Sequence, residues 1–100
     1  ATAMGVKELV FESQIALGGV EGEAGNWGES DRLFQAGIDG LVSSGRAYGL
    51  PRVRLEYARM LTRKGDSARA KAEMENAAKE YEKMGDTDRA EKTRREMLVL

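Results

Sequence analysis

No cysteine and no histidine occur among the 100 residues, and there is a single proline, Pro51. Without cysteine there are no disulfides, thiolate metal sites or thiol nucleophiles, and redox compartment cannot be read from the chain. Without histidine the commonest general base and the usual imidazole ligand are missing as well. A carboxylate pair could still do acid–base work, but Glu73, Glu75, Glu80 and Glu82 read as a solvated helix face rather than a converging pair. No catalytic, metal or cofactor residue is therefore assigned, and an enzyme is not expected. Aromatic residues are scarce at 6 %, and β-branched residues are too thinly spread for a sheet. No apolar run approaches the ~18 residues of a membrane span, and no secretory signal opens the chain, so the cytoplasm is the expected location. An excess of either charge is lacking too: 16 basic against 17 acidic residues leave a net charge of −1. That balance removes the global electrostatic case for nucleic acid or an anionic membrane.

What the chain has is helix formers punctuated by glycine. Gly25-Asn26, Gly45-Arg46, Gly65-Asp66 and Gly85-Asp86 recur every 20 residues. Glycine just past a helix end adopts the left-handed conformation at little cost, and an adjacent Asn or Asp caps the following helix. Four such breaks predict five helices of roughly 13 to 19 residues joined by tight turns. The apolar spacing agrees. Ala70, Met74, Ala77, Ala78, Tyr81 and Met84 form one stripe, with Lys71, Glu75, Lys79, Glu82 and Lys83 opposite it, partly as i,i+4 pairs. Val53, Tyr57, Met60 and Leu61 repeat the pattern in a helix starting at Pro51. Leu33, Phe34, Ile38, Leu41 and Val42 do so after Gly25.

Helices of this length with two-residue turns fold back as antiparallel hairpins. A second period, of 40 residues, pairs Gly25 with Gly65 and Gly45 with Gly85. It also pairs Leu17 with Tyr57 and Met97, Val20 with Met60 and Leu100, and Phe34 with Met74. The repeating unit is a helix pair, and the chain holds about two and a half. Residues 5–44 and 45–84 are the two full units. Residues 85–100 are a capping helix or the start of a third, and residues 1–4 a lead-in, added or disordered. Gly18, Gly19 and Gly22 within one helix each cost about 1 kcal/mol relative to alanine. The first unit is expected to be the less stable one, or its first helix to be distorted. The cluster lacks the spacing of a phosphate loop, and Glu21 and Glu23 would repel phosphate.

A helix-pair repeat with small and large residues at fixed offsets, Leu17-Gly18, Gly25, Phe34 and Gly37 in the first unit and Tyr57-Ala58, Leu61, Gly65, Ala70, Met74 and Ala77 in the second, resembles the tetratricopeptide repeat family. The segments Leu61–Ala70 and Tyr81–Ala90, with their Gly-Asp turns, look like the longer-helix variant found in bacterial signalling regulators. Glu21 stands where that family carries a large aromatic residue, Ser30 where it carries alanine, and the proline that often closes a unit is missing. The resemblance implies an all-α array of antiparallel helical hairpins, an α-solenoid, serving as a protein-interaction module of a larger regulatory protein.

By the same resemblance, the first helix of each unit lines a concave groove. The groove offsets fall on Glu12, Ile15, Ala16, Gly19 and Glu23 in unit one, and on Arg52, Leu55, Glu56, Arg59 and Arg63 in unit two. In the last helix they fall on Lys92, Arg95, Glu96 and Val99. The basic members suit an acidic peptide or protein partner, although a solvated helix face is the plainer reading. Trp27 reads as a packing residue. The apolar end Met97, Leu98, Val99 and Leu100 offers the alternative of a homodimer. Binding of nucleic acid is disfavoured because no aromatic residues interleave with the basic groove positions.

Overall fold

A computed structural model of the chain describes residues 2–45 and 48–100, with side chains described from residue 10 onward. The fold is all-α. Its five helices are α1 (Thr2–Glu23), α2 (Trp27–Ser43), α3 (Leu50–Lys64), α4 (Ser67–Lys83) and α5 (Thr87–Met97), with no strand among the described residues. Residues 1–46 form one compact unit and residues 47–100 a second. α1 packs on α2 in the first, and α4 packs on both α3 and α5 in the second.

The four breaks fall where the glycines stand. Gly25, Gly45, Gly65 and Gly85 have φ of +82°, +76°, +95° and +80°, and they are the positive-φ residues of the described chain. Three of the turns share one hydrogen-bond pattern. The amides of Asn26, Asp66 and Asp86 donate to the carbonyls of Glu21, Leu61 and Tyr81 at 2.9, 2.8 and 2.9 Å. This six-to-one bond satisfies a carbonyl at the helix end while the left-handed glycine turns the chain back.

Capping then divides the turns. Asp66 and Asp86 accept from the backbone amides of Arg69 and Arg89 at 3.2 and 3.1 Å, which starts α4 and α5 as expected. Asn26 stands at the N-cap of α2 but makes no side-chain cap bond: its side-chain amide donates to the Glu21 carboxylate at 2.7 Å instead. Residue 46 lies outside the described residues. The α2–α3 connection, residues 44–49, is longer than the expected two-residue turn, and α3 starts at Leu50, with Pro51 in its first turn.

α1 is continuous through its glycines and begins at Thr2, inside the segment set apart as a lead-in. Glycine there serves close approach. A Cβ on Gly18 would stand 3.0 Å from the Phe34 ring. One on Gly37, across the pair in α2, would stand 2.5 Å from Cγ1 of Ile15 and 3.0 Å from the Phe11 carbonyl oxygen. Gly40 faces the Phe11 ring in the same way. Ser30, at the alanine position of the pattern, is fully buried and donates its hydroxyl to the Gly18 carbonyl at 2.6 Å. The hydroxyl is thus satisfied within the pair, and serine is tolerated. Trp27 is half-buried at the start of α2.

In unit 2 the small residues are alanines. Ala70, Ala77 and Ala78 of α4 are fully buried, with Tyr57, Met60 and Leu61 of α3 and Ala90 of α5 completing the core. The 40-residue correspondence holds at Phe34 and Met74, both buried, and fails in α1. Leu17 and Val20 are 52 % and 60 % exposed, against 3 % and 1 % for Tyr57 and Met60. The buried side of α1 carries Ile15, Gly18 and Gly22 instead.

Two glycines of α1 and α2 separate packing from propensity. Gly37→Ala is expected to destabilise the chain by about 1–3 kcal/mol, because a backbone carbonyl blocks the methyl. Gly19→Ala, whose Cβ meets nothing within 4 Å, is expected to stabilise by up to about 1 kcal/mol. Urea unfolding of the two variants measures both, and a neutral Gly37→Ala would contradict the close approach.

Candidate functional site

The site is built from α3, α4 and α5 of unit 2. α4 carries glutamates on two of its sides, at seven-residue spacing, which returns a side chain to nearly the same angle. Arg54 of α3 clasps one pair, with Nε 2.9 Å from Glu80 and Nη1 3.0 Å from Glu73. Arg94 of α5 clasps the other, with Nη2 3.0 Å from Glu75 and 2.9 Å from Glu82. The four glutamates read from the sequence as a solvated face are therefore acceptors of inter-helix ion pairs. Glu75 and Glu82, expected to pair with lysines of their own helix, turn to Arg94. The cause is geometric: arginine forks reach two carboxylates at once from the neighbouring helix.

The electrostatics follow. Burial opposes the charge on Arg54, yet the hydrogen bonds and fields of Glu80 and Glu73 outweigh it and raise its pKa. Hydrogen bonds from Arg94 hold both Glu75 and Glu82 below their ordinary carboxylate value, and the same bonds raise Arg94. On the α3 side, Arg69 of α4 lies over the Tyr57 ring, with Cζ 5.8 Å from the centroid, and donates to the phenol oxygen. These contacts fix α3 and α5 on either side of α4.

Between the fixed helices lies an open cavity of about 490 Å³, lined by Leu55, Ala58, Arg59, Thr62 and Arg63 of α3, Met74 of α4, and Glu96, Val99 and Leu100 at the end of the chain. Its floor is apolar. Thr62 adds to this by donating its hydroxyl to the Ala58 carbonyl at 2.9 Å. Arg59 and Arg63 stand one helical turn apart, are exposed, and have no ion-pair partner among the described residues. Glu96 is the one acidic residue of the lining.

Five of the expected groove residues, Leu55, Arg59, Arg63, Glu96 and Val99, come together here with Leu100 of the apolar end. Arg52, Glu56, Lys92 and Arg95 are exposed and do not line the cavity, and Arg95 lies 3.7 Å from Glu91 of its own helix. Met97 is half-buried and Leu98 is 82 % exposed, both outside the lining. In unit 1 Ile15 is 7 % exposed and packs toward Gly37, so it faces the pair's interior and no groove. Ala58 and Met74 were missed as lining because their residue types and offsets read as core, and Thr62, an exposed polar residue off the apolar stripe, gave no signal.

No group of three or more side chains suited to hold a metal forms among the described residues. No described helix is long and apolar enough to cross a membrane. Comparison with protein-family models, curated proteins and solved structures finds no match.

The Arg94 clamp makes stability depend on pH. Because Glu75 and Glu82 are lowered in the folded chain, their contribution is complete above the ordinary carboxylate value of 4.5. It is lost as pH falls through the depressed folded values. The wild-type chain is expected to unfold at higher urea than Arg94→Gln at about pH 7, with the gap closing on acidification below about pH 4. A gap that stays constant across that range would show that the clamp is not electrostatic.

Proposed function

We propose that the chain is a tetratricopeptide-like interaction module, one part of a larger regulatory protein, and that it binds a partner segment in the groove of unit 2 and catalyses nothing. The partner presents an aliphatic side chain to Leu55, Met74, Val99 and Leu100, and carboxylates to Arg59 and Arg63.

One observation carries this reading: the contrast among the arginines of unit 2. Arg54 and Arg94 are each held by two glutamates and serve the fold. Arg59 and Arg63, beside an open apolar cavity, are held by none among the described residues. Cations placed beside an exposed apolar floor combine the two features that helix-lined grooves use for recognition, an apolar anchor and charge-assisted hydrogen bonds. The absence of histidine and cysteine supports binding over catalysis.

The test is titration of a short fluorescent peptide carrying a leucine next to two glutamates. Arg59→Glu with Arg63→Glu is expected to weaken binding at least about tenfold, or about 1.4 kcal/mol, with helicity unchanged because both side chains are exposed. Affinity equal to that of the wild-type chain would remove the groove from the account.

A further inference from the structure

Among the described residues, two apolar surfaces differ in shape and charge. One is the concave groove of unit 2. The other is a convex ridge on α1, where Val10, Leu17 and Val20 are 47 %, 52 % and 60 % exposed. Spacings of seven and three residues put the three on one helical face. That face is not the one α1 buries against α2, which carries Ile15, Gly18 and Gly22. Forty residues on, the corresponding side chains are Leu50, Tyr57 and Met60, and these are only 2 %, 3 % and 1 % exposed. The ridge therefore exposes positions that the second unit covers.

The charges of the two units oppose each other. Residues 1–46 hold seven acidic and three basic residues, a net charge of −4; residues 47–100 hold ten acidic and thirteen basic, a net charge of +3. No basic residue occurs between Val10 and Asp31. Glu21, one turn from Leu17, supplies a carboxylate at the edge of the ridge, as Arg59 and Arg63 supply cations beside the groove.

We infer that the occupant of the groove is α1 of a second copy of this chain, seated by its Val10–Leu17–Val20 ridge. This identification rests on the groove reading above and names its partner. An amphipathic ridge entering an apolar groove is a recurrent mode of helix recognition. The groove volume of about 490 Å³ has room for about two or three aliphatic side chains. Leu17 and Val20 enter toward Leu55 and Val99, and Glu21 meets the Arg59–Arg63 pair. The contact joins two different patches, so it is heterologous. The apolar end of the chain, Val99 and Leu100, takes part as groove wall.

Complementation of two damaged chains is the test. The ridge variant is Leu17→Glu with Val20→Glu; the groove variant is Arg59→Glu with Arg63→Glu. All four positions are exposed, and circular dichroism checks that both variants remain helical. In sedimentation experiments across a concentration range, the wild-type chain is expected to associate and each variant alone to be monomeric. An equimolar mixture of the two is expected to form a one-to-one heterodimer, because one intact ridge and one intact groove remain. A monomeric wild-type chain at every concentration overturns the inference. So does association of the groove variant alone, which would place ridge against ridge, or a mixture that stays monomeric. Binding of the leucine–glutamate peptide by a wild-type chain that stays monomeric would overturn this inference alone and leave the groove reading standing; loss of peptide binding as well would remove both.

Discussion

A left-handed glycine every twenty residues is the constraint on which the rest of the structure depends. At φ between +76° and +95°, Gly25, Gly45, Gly65 and Gly85 occupy a region that side chains with a Cβ enter only at a cost. Each ends a helix, and at three of them the next residue's amide closes the same six-to-one hydrogen bond. Within each unit, helices turned back in this way lie side by side. Their contact faces are then decided by which residues are small enough to let them approach.

The two units answer that demand differently. In unit 1 glycine lies across from a ring or a branched chain, as Gly18 does from Phe34 and Gly37 from Ile15, and one buried serine is satisfied by a carbonyl of the facing helix. In unit 2 alanines of α4 do the work, and the arginine forks of Arg54 and Arg94 add direction. With α3 and α5 both tied to α4, the space between them becomes a groove, with an apolar floor and two arginines whose charges the fold does not consume.

How much of this was legible depends on whether a property is local. The turn glycines, the capping aspartates Asp66 and Asp86, and the Ala70–Met74–Ala77–Ala78 stripe could be read because each follows from its own few neighbours. The orientation of α1 could not. That helix is apolar on more than one side, so Leu17 and Val20 matched Tyr57 and Met60 in register while pointing elsewhere, and Ile15 was placed in a groove when it faces Gly37. The glutamates of α4 were misread because their partners lie on other helices; the seven-residue spacings of Glu73 with Glu80 and Glu75 with Glu82, and the forty residues between Arg54 and Arg94, were the available signal. At the groove, Leu55, Arg59, Arg63, Glu96 and Val99 followed from the offsets that the resemblance implied. Ala58 and Met74 did not, since an apolar wall residue and a core residue have the same composition until the neighbouring helix is in place, and Thr62 lay off the apolar stripe.

The measurement that tests the central claim most directly is mapping of amide shifts by nuclear magnetic resonance as the leucine–glutamate peptide is added to the Leu17→Glu, Val20→Glu chain, in which no ridge competes for the groove. Shifts concentrated at Leu55, Arg59, Arg63, Val99 and Leu100, with α1 and α2 unmoved, are what the account predicts. Shifts centred on α1 and α2 or on the outer surface of α4, or none at saturating peptide, would contradict it.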